Sequence, residues 1–106
     1  MTAGEELCKL VAELYPICRS ITGDGVRRTL EIVDREVGGL EVSEVPTGTQ
    51  VLDWTVPREW NVRDAWVADA AGRRVIDFQA SNLHLVSYSA PVRATLSLAE
   101  LKEHLF

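Results

Sequence analysis

Apolar residues recur at helical spacing from the start of the chain. Leu7, Leu10, Val11 and Leu14 share one face of a 3.6-residue repeat, and Thr2 with Glu5 has the TxxE form of a capping box. The spacing predicts a first helix from about residue 3 to Tyr15, stopped by Pro16, which has no N–H to continue it. Ser20 to Gly25 is turn chemistry, with Thr22 or Asp24 able to cap a second helix. Val26, Leu30, Val33 and Val37 mark one face of that helix, which Gly38-Gly39 ends. The pair reads as a helical hairpin with one apolar stripe on each member, too little for a stable unit unaided.

From Leu40 the period switches from helical to alternating. Short strands are predicted at Leu40–Val45, Val51–Val56, Trp60–Ala68, Arg74–Phe78, Leu83–Tyr88 and Val92–Leu96, separated by Pro, Gly, Asn and Ser turns. Six strands so closely spaced imply a mainly antiparallel sandwich or partial barrel. Ser97 with Glu100 repeats the capping box, and Leu98, Leu101 and Leu105 stripe a short C-terminal helix. The expected class is α+β: residues 1–39 helical, 40–96 β-rich, and 97–106 the start of a further helix. The abrupt apolar end at Leu105-Phe106 reads as an interruption.

At 106 residues, 46% apolar and 25% charged, the chain has globular composition, and at this length every uncovered apolar face matters. A net charge of −5 with scattered basic residues argues against nucleic-acid binding. No stretch approaches the ~20 apolar residues of a membrane span. The acidic N-terminus lacks a signal peptide, and Cys8 and Cys18 fit reduced thiols, so a cytoplasmic location is expected.

Candidate chemistry is sparse. His84 and His104 are the only histidines, and no HExxH, HxE or HxD pair exists, so neither a complete metal site nor a catalytic residue is expected within these residues. His84, in an alternating segment, reads as a strand histidine bonded to a neighbour. No nucleophile signature accompanies a serine or cysteine. Asp53, Glu59 and Asp64 surround the tryptophans and superficially suggest a glycosidase cleft. The TGDG turn with Arg27 and Arg28 reads as turn plus cap before anion site. Trp54, Trp60 and Trp66 suit a core or docking surface better than a ligand platform.

Three stretches carry a family resemblance: LYPICRSITGDGVRRTLEIV at 14–33, VPTGTQVLDWTVPREWNVRDAWV at 45–67 and NLHLVSYSAPV at 82–92. They resemble the N-terminal portion of a bacterial aminopeptidase-like family of zinc-peptidase type. The resemblance implies a small β-rich domain of unknown function inserted after the first helices, with the zinc ligands of complete members on a following α/β core. It implies an N-terminal fragment that is inactive alone and holds no zinc itself, its β unit flanking a substrate cleft. Its partners would be the remainder of the protein or a separately encoded core, with peptide as substrate. A free-standing peptide- or carbohydrate-binding module, or an interaction subunit for such a core, are the alternatives. Trp54, Trp60, Arg63 and His84 are the residues expected to touch a ligand or the rest of the protein.

Overall fold

Both capping boxes close as the sequence predicts. In the computed structural model, which describes residues 1–106, Thr2 caps α1 (Ala3–Leu14): its hydroxyl accepts the Glu5 N–H at 3.3 Å, and the Glu5 carboxylate accepts the Thr2 N–H at 2.7 Å. Ser97 and Glu100 do the same for α3 (Leu98–Lys102). Between them lie α2 (Asp24–Val37), two β-hairpins and a 3₁₀ turn at Asn82–His84.

The α1–α2 connection is held by polar groups. The Arg19 guanidinium donates to the Leu14 carbonyl at the end of α1 and to the Thr29 hydroxyl of α2. Arg35 forks onto Glu13 at 3.0 and 2.6 Å, tying the last turn of α1 to the last turn of α2. The predicted apolar stripe of α2 is partly covered: Val26, Leu30 and Val33 are half-buried and Val37 is exposed, while Ile32, beside that stripe, is the most buried side chain at 2%. Gly25 lies on the same side of the helix as Ile32, two turns earlier. The Cys18 carbonyl lies so close that a Cβ at this position would overlap it, so the face of α2 that carries Gly25 packs against the preceding turn.

The β region is mixed with the helices but thinner than the alternation implies. β1 (Gln50–Val51) pairs with β2 (Trp54–Thr55), and β3 (Trp66–Ala68) with β4 (Arg74–Asp77), giving two separate antiparallel two-stranded sheets. The expected six-stranded sandwich or partial barrel is not present. Alternation makes a segment fit to be a strand, but the ladder also needs a partner for each N–H and C=O. Leu40–Val45 and Val92–Leu96 have no such partner in the chain, and most of Trp60–Ala68 outside β3 is likewise unpaired. At Leu83–Tyr88 the backbone is turned instead: the Ser81 hydroxyl accepts the Leu83 N–H, and Tyr88 takes a left-handed φ of 64°.

Little apolar surface is covered. Only two residues are buried, and the chain exposes 9093 Å², whereas a compact monomer of this mass exposes about 5,900 Å². Its radius of gyration is 18.3 Å against roughly 13 Å for a compact domain of this length. Leu7 and Val11 of α1 stand 62% and 61% exposed. No helix is long and apolar enough to cross a membrane.

Candidate functional site

The three stretches that carry the family resemblance converge on one junction. In the α1–α2 turn, the Ser20 hydroxyl donates to the Thr22 carbonyl at 2.8 Å and accepts the Thr22 N–H, which sets the turn. Thr22 does not cap α2. Its hydroxyl accepts the Trp60 backbone N–H at 3.0 Å and shares a hydrogen with the Tyr88 hydroxyl at 2.6 Å. Nor does Asp24 cap the helix; its own N–H is received by Oδ1 of Asn61 at 2.8 Å, from 37 residues away. Gly23, at φ 96°, makes room for this. A Cβ there would strike the Trp60 carbonyl and the Asn61 side chain.

Trp60 anchors the other side. Its indole N–H donates to the Ser89 carbonyl at 3.0 Å, and its ring stacks on Tyr88 with centroids 5.8 Å apart and planes 23° from parallel. Glu59, next in sequence, receives a two-pronged contact from Arg27 at 2.6 and 2.7 Å and a further bond from Asn61. Those hydrogen bonds, Arg27 first, hold the Glu59 carboxyl down at about 2, against 4.5 ordinarily. Arg27 also reaches Asp24, and Arg28 pairs with Glu31. The TGDG turn is therefore a capped helix start whose first N–H and nearby guanidinium groups are already engaged.

Beside this junction runs an open groove of about 660 Å³. Trp60, Arg63 and His84 all line it, together with Trp66, Leu85 and Pro91. Trp54 does not; it lies half-exposed in the other hairpin, opposite Val51. A smaller cleft of about 280 Å³ on the far side of residues 60–63 is shared with the α1–α2 turn.

His84 stands at the end of the 3₁₀ turn, not in a strand, with Nδ1 2.8 Å from the Asp77 carbonyl and 3.2 Å from the Asp77 amide. It is thus bonded to a neighbour, the backbone of β4. Arg74 lies 5.1 Å over the Trp66 ring and pairs with Asp64 and Asp77. Partial burial opposes ionisation of Asp64, but bonds from Arg74, Gln79 and the Ala65 N–H outweigh it and hold the carboxyl below its usual range.

These engagements decide what the residues can do. Glu59 is tied to Arg27, Asp64 to Arg74, and Asp53 sits in the β1–β2 turn; of the three acids only Asp64 lines the groove, so they do not share one cleft. No group of three or more His, Cys, Asp or Glu side chains lies close enough to hold a metal ion, so these residues do not fit zinc. Asn61, Thr22, Tyr88 and Ser89 are the positioning residues that sequence reasoning missed. All four lie within the three family-bearing stretches, but each acts on a partner 29 to 66 residues distant, beyond the reach of any local pattern.

Comparison with known proteins places this geometry. A family model described as "Domain of unknown function (DUF4910)" matches residues 8–103. A protein of Clostridium acetobutylicum described as "Putative polysaccharide biosynthesis protein with aminopeptidase-like domain" is 54% identical over 102 residues, 96% of this chain and 23% of its own length. The match falls on its N-terminal portion. A crystal structure of a "putative peptidase" from the same organism superposes with a TM-score of 0.87 at 55% identity, covering 94% of this chain and 24% of that one. The chain thus spans about a quarter of the length of the relatives it matches.

Proposed function

This chain belongs to the family of the domain of unknown function DUF4910, and we propose that it serves as the non-catalytic N-terminal part of a peptidase-like protein, its β-rich region flanking the substrate cleft. The observation that carries this reading is the uncovered apolar surface. The chain exposes roughly 3,000 Å² more than a compact monomer of its mass, an excess of the size that large obligate interfaces bury. The length of the relatives supplies a body to cover it. On this reading Leu7 and Val11 pack against that body, and the unpaired alternating segments 40–45 and 92–96 gain strand partners from it. This accounts for the alternation that the isolated chain leaves unused.

Hydrolysis itself falls to residues outside these 106. Zinc, where the complete protein uses it, would be held there, since no ligand set exists in this chain. Residues 57–63, braced at Trp60 by Thr22 and Ser89, give the β region a defined orientation relative to α2. Two free thiols, Cys8 and Cys18, suit a reducing cytoplasm.

The test is reconstitution. The 106-residue chain is co-expressed with the Clostridium acetobutylicum relative lacking its matched N-terminal portion, and aminoacyl anilide hydrolysis is followed. We expect a one-to-one complex, activity in the complex, and none in the chain by itself. Stoichiometric zinc binding with turnover by the chain alone would refute the reading.

A further inference from the structure

The β1–β2 hairpin presents apolar residues at its exposed end. Val51 and Trp54 stand opposite each other in the ladder and so share one face, and both are exposed, while Gln50 and Thr55 share the other face. The loop that joins the strands is Leu52-Asp53. Leu52 takes a left-handed φ of 53° at the first loop position, where two-residue hairpin loops favour glycine, and its side chain is 92% exposed. Leucine is therefore unfavourable twice at this tip, once through backbone strain and once through wetted apolar surface. The hairpin is held stiff all the same. The Gln50 side-chain amide donates to the Leu52 carbonyl at 2.9 Å, and the Thr55 hydroxyl donates to the Gln50 side-chain oxygen at 2.9 Å. Below them, Val56 donates its N–H to the Thr49 carbonyl and Gly48 to the Val56 carbonyl, and the Thr47 hydroxyl reaches the Pro57 carbonyl. The ladder thus runs down to the segment that carries Glu59 and Trp60.

We infer that this hairpin is a docking arm, whose Leu52 enters an apolar socket on the remainder of the polypeptide while Val51 and Trp54 close over the rim. The inference rests on the proposed role within a larger peptidase-like protein and names the element that fastens the β region to it. Strained backbone persists where its surroundings compensate it, and nothing within this chain covers Leu52. Size selects the occupant. Three side chains offer only a few hundred Å², whereas a stable contact between separate chains buries about 1,200–2,000 Å² in total. Within one polypeptide the tether raises the effective concentration to the millimolar range, so a patch this small suffices. Relatives about four times the length of this chain supply such a tethered body, which a second copy of the chain does not. Cover from that body also suits the arm itself, because a lone two-stranded hairpin is marginal in water.

The test compares the parent chain with Leu52→Gly, both alone and in the complex with the truncated relative described above, where the exposed face of α1 supplies further area. Alone, the variant should show a higher urea midpoint, because glycine relieves the left-handed backbone and no buried contact is lost. In the complex it should bind at least tenfold more weakly. The Trp54 indole signal, assigned by its disappearance in Trp54→Phe, should be broadened by a soluble paramagnetic agent in the free chain and protected in the parent complex. Equal affinity of Leu52→Gly, a lower midpoint for the free variant, or a Trp54 indole still broadened in the complex would overturn the inference. So would a dimer of the free chain that Leu52→Gly disperses, or a Trp54 indole that only added peptide protects, since a second copy or the substrate would then be the occupant. A parent complex that forms and hydrolyses its substrate, with Leu52→Gly binding undiminished, removes the arm and leaves the proposed function standing. Absence of any parent complex removes both.

Discussion

Asn61 receives the backbone N–H of Asp24 on its side-chain oxygen at 2.8 Å, so the first turn of α2 is capped by a residue of the β-rich region. Replacing a capping side chain by Ala costs about 1 kcal/mol, within a range of roughly 0.5–2. Asn61→Ala should lower the urea midpoint by the corresponding amount, whereas Asn61→Asp, which keeps the acceptor oxygen, should stay closer to the parent chain. An unchanged midpoint in the alanine variant would mean that the cap adds nothing to folding.

Glu59 reports the junction through its ionisation. Its folded value of about 2 lies below the ordinary 4.5, so the ionised carboxylate favours the folded junction above pH 4.5, and that contribution fades as pH falls toward 2. Carbon-detected NMR of the Glu59 carboxyl should show a midpoint near the lower value. In Arg27→Gln the midpoint should rise toward 4.5, because the leading hydrogen bonds are gone. The same high midpoint in the parent chain would show that the Arg27 fork does not persist in solution.

Two glycines in helices should respond in opposite directions to alanine. At Gly4 the nearest atom to a new Cβ is 4.0 Å away, so Gly4→Ala should stabilise the chain by up to ~1 kcal/mol through helix propensity. At Gly25 the Cβ would overlap the Cys18 carbonyl, and Gly25→Ala should cost about 1–3 kcal/mol as the turn is forced off the helix. Thermal denaturation of both variants, followed by circular dichroism, reads the contrast. A stabilised Gly25→Ala chain would show that the two backbones do not meet.

Tyr88 holds a left-handed φ of 64°, a conformation that costs a non-glycine residue about 1–2 kcal/mol. Its hydroxyl on Thr22 and its ring on Trp60 offset that cost. Tyr88→Phe should destabilise by about 0.5–1.5 kcal/mol while keeping the stack. Thr22→Val should cost more, since it also strips the acceptor from the Trp60 N–H. In a double-mutant cycle by urea denaturation the two effects should be non-additive. Strict additivity would mean that the hydroxyls do not interact.

The helical segments were legible because their determinants are local. Thr2 with Glu5, Ser97 with Glu100, and the Gly38-Gly39 stop lie within a turn of the elements they delimit, so spacing alone locates them. The β region was legible as a change of period but not as a topology. Alternation says which faces a strand would have, while pairing needs a second segment at matched register, and only two hairpins find one inside this chain.

What the sequence determined by itself is therefore the helix boundaries and the family-bearing stretches, since each depends on residue identity over a few positions. Only the tertiary structure decided that Asn61 caps α2, that Thr22 joins Trp60 to Tyr88, and that Trp60, Arg63 and His84 share one groove while Trp54 stands apart. Those contacts bridge 29 to 66 residues of chain. A contact that closes so long a loop is selected by the three-dimensional path of the backbone, and no local propensity records it.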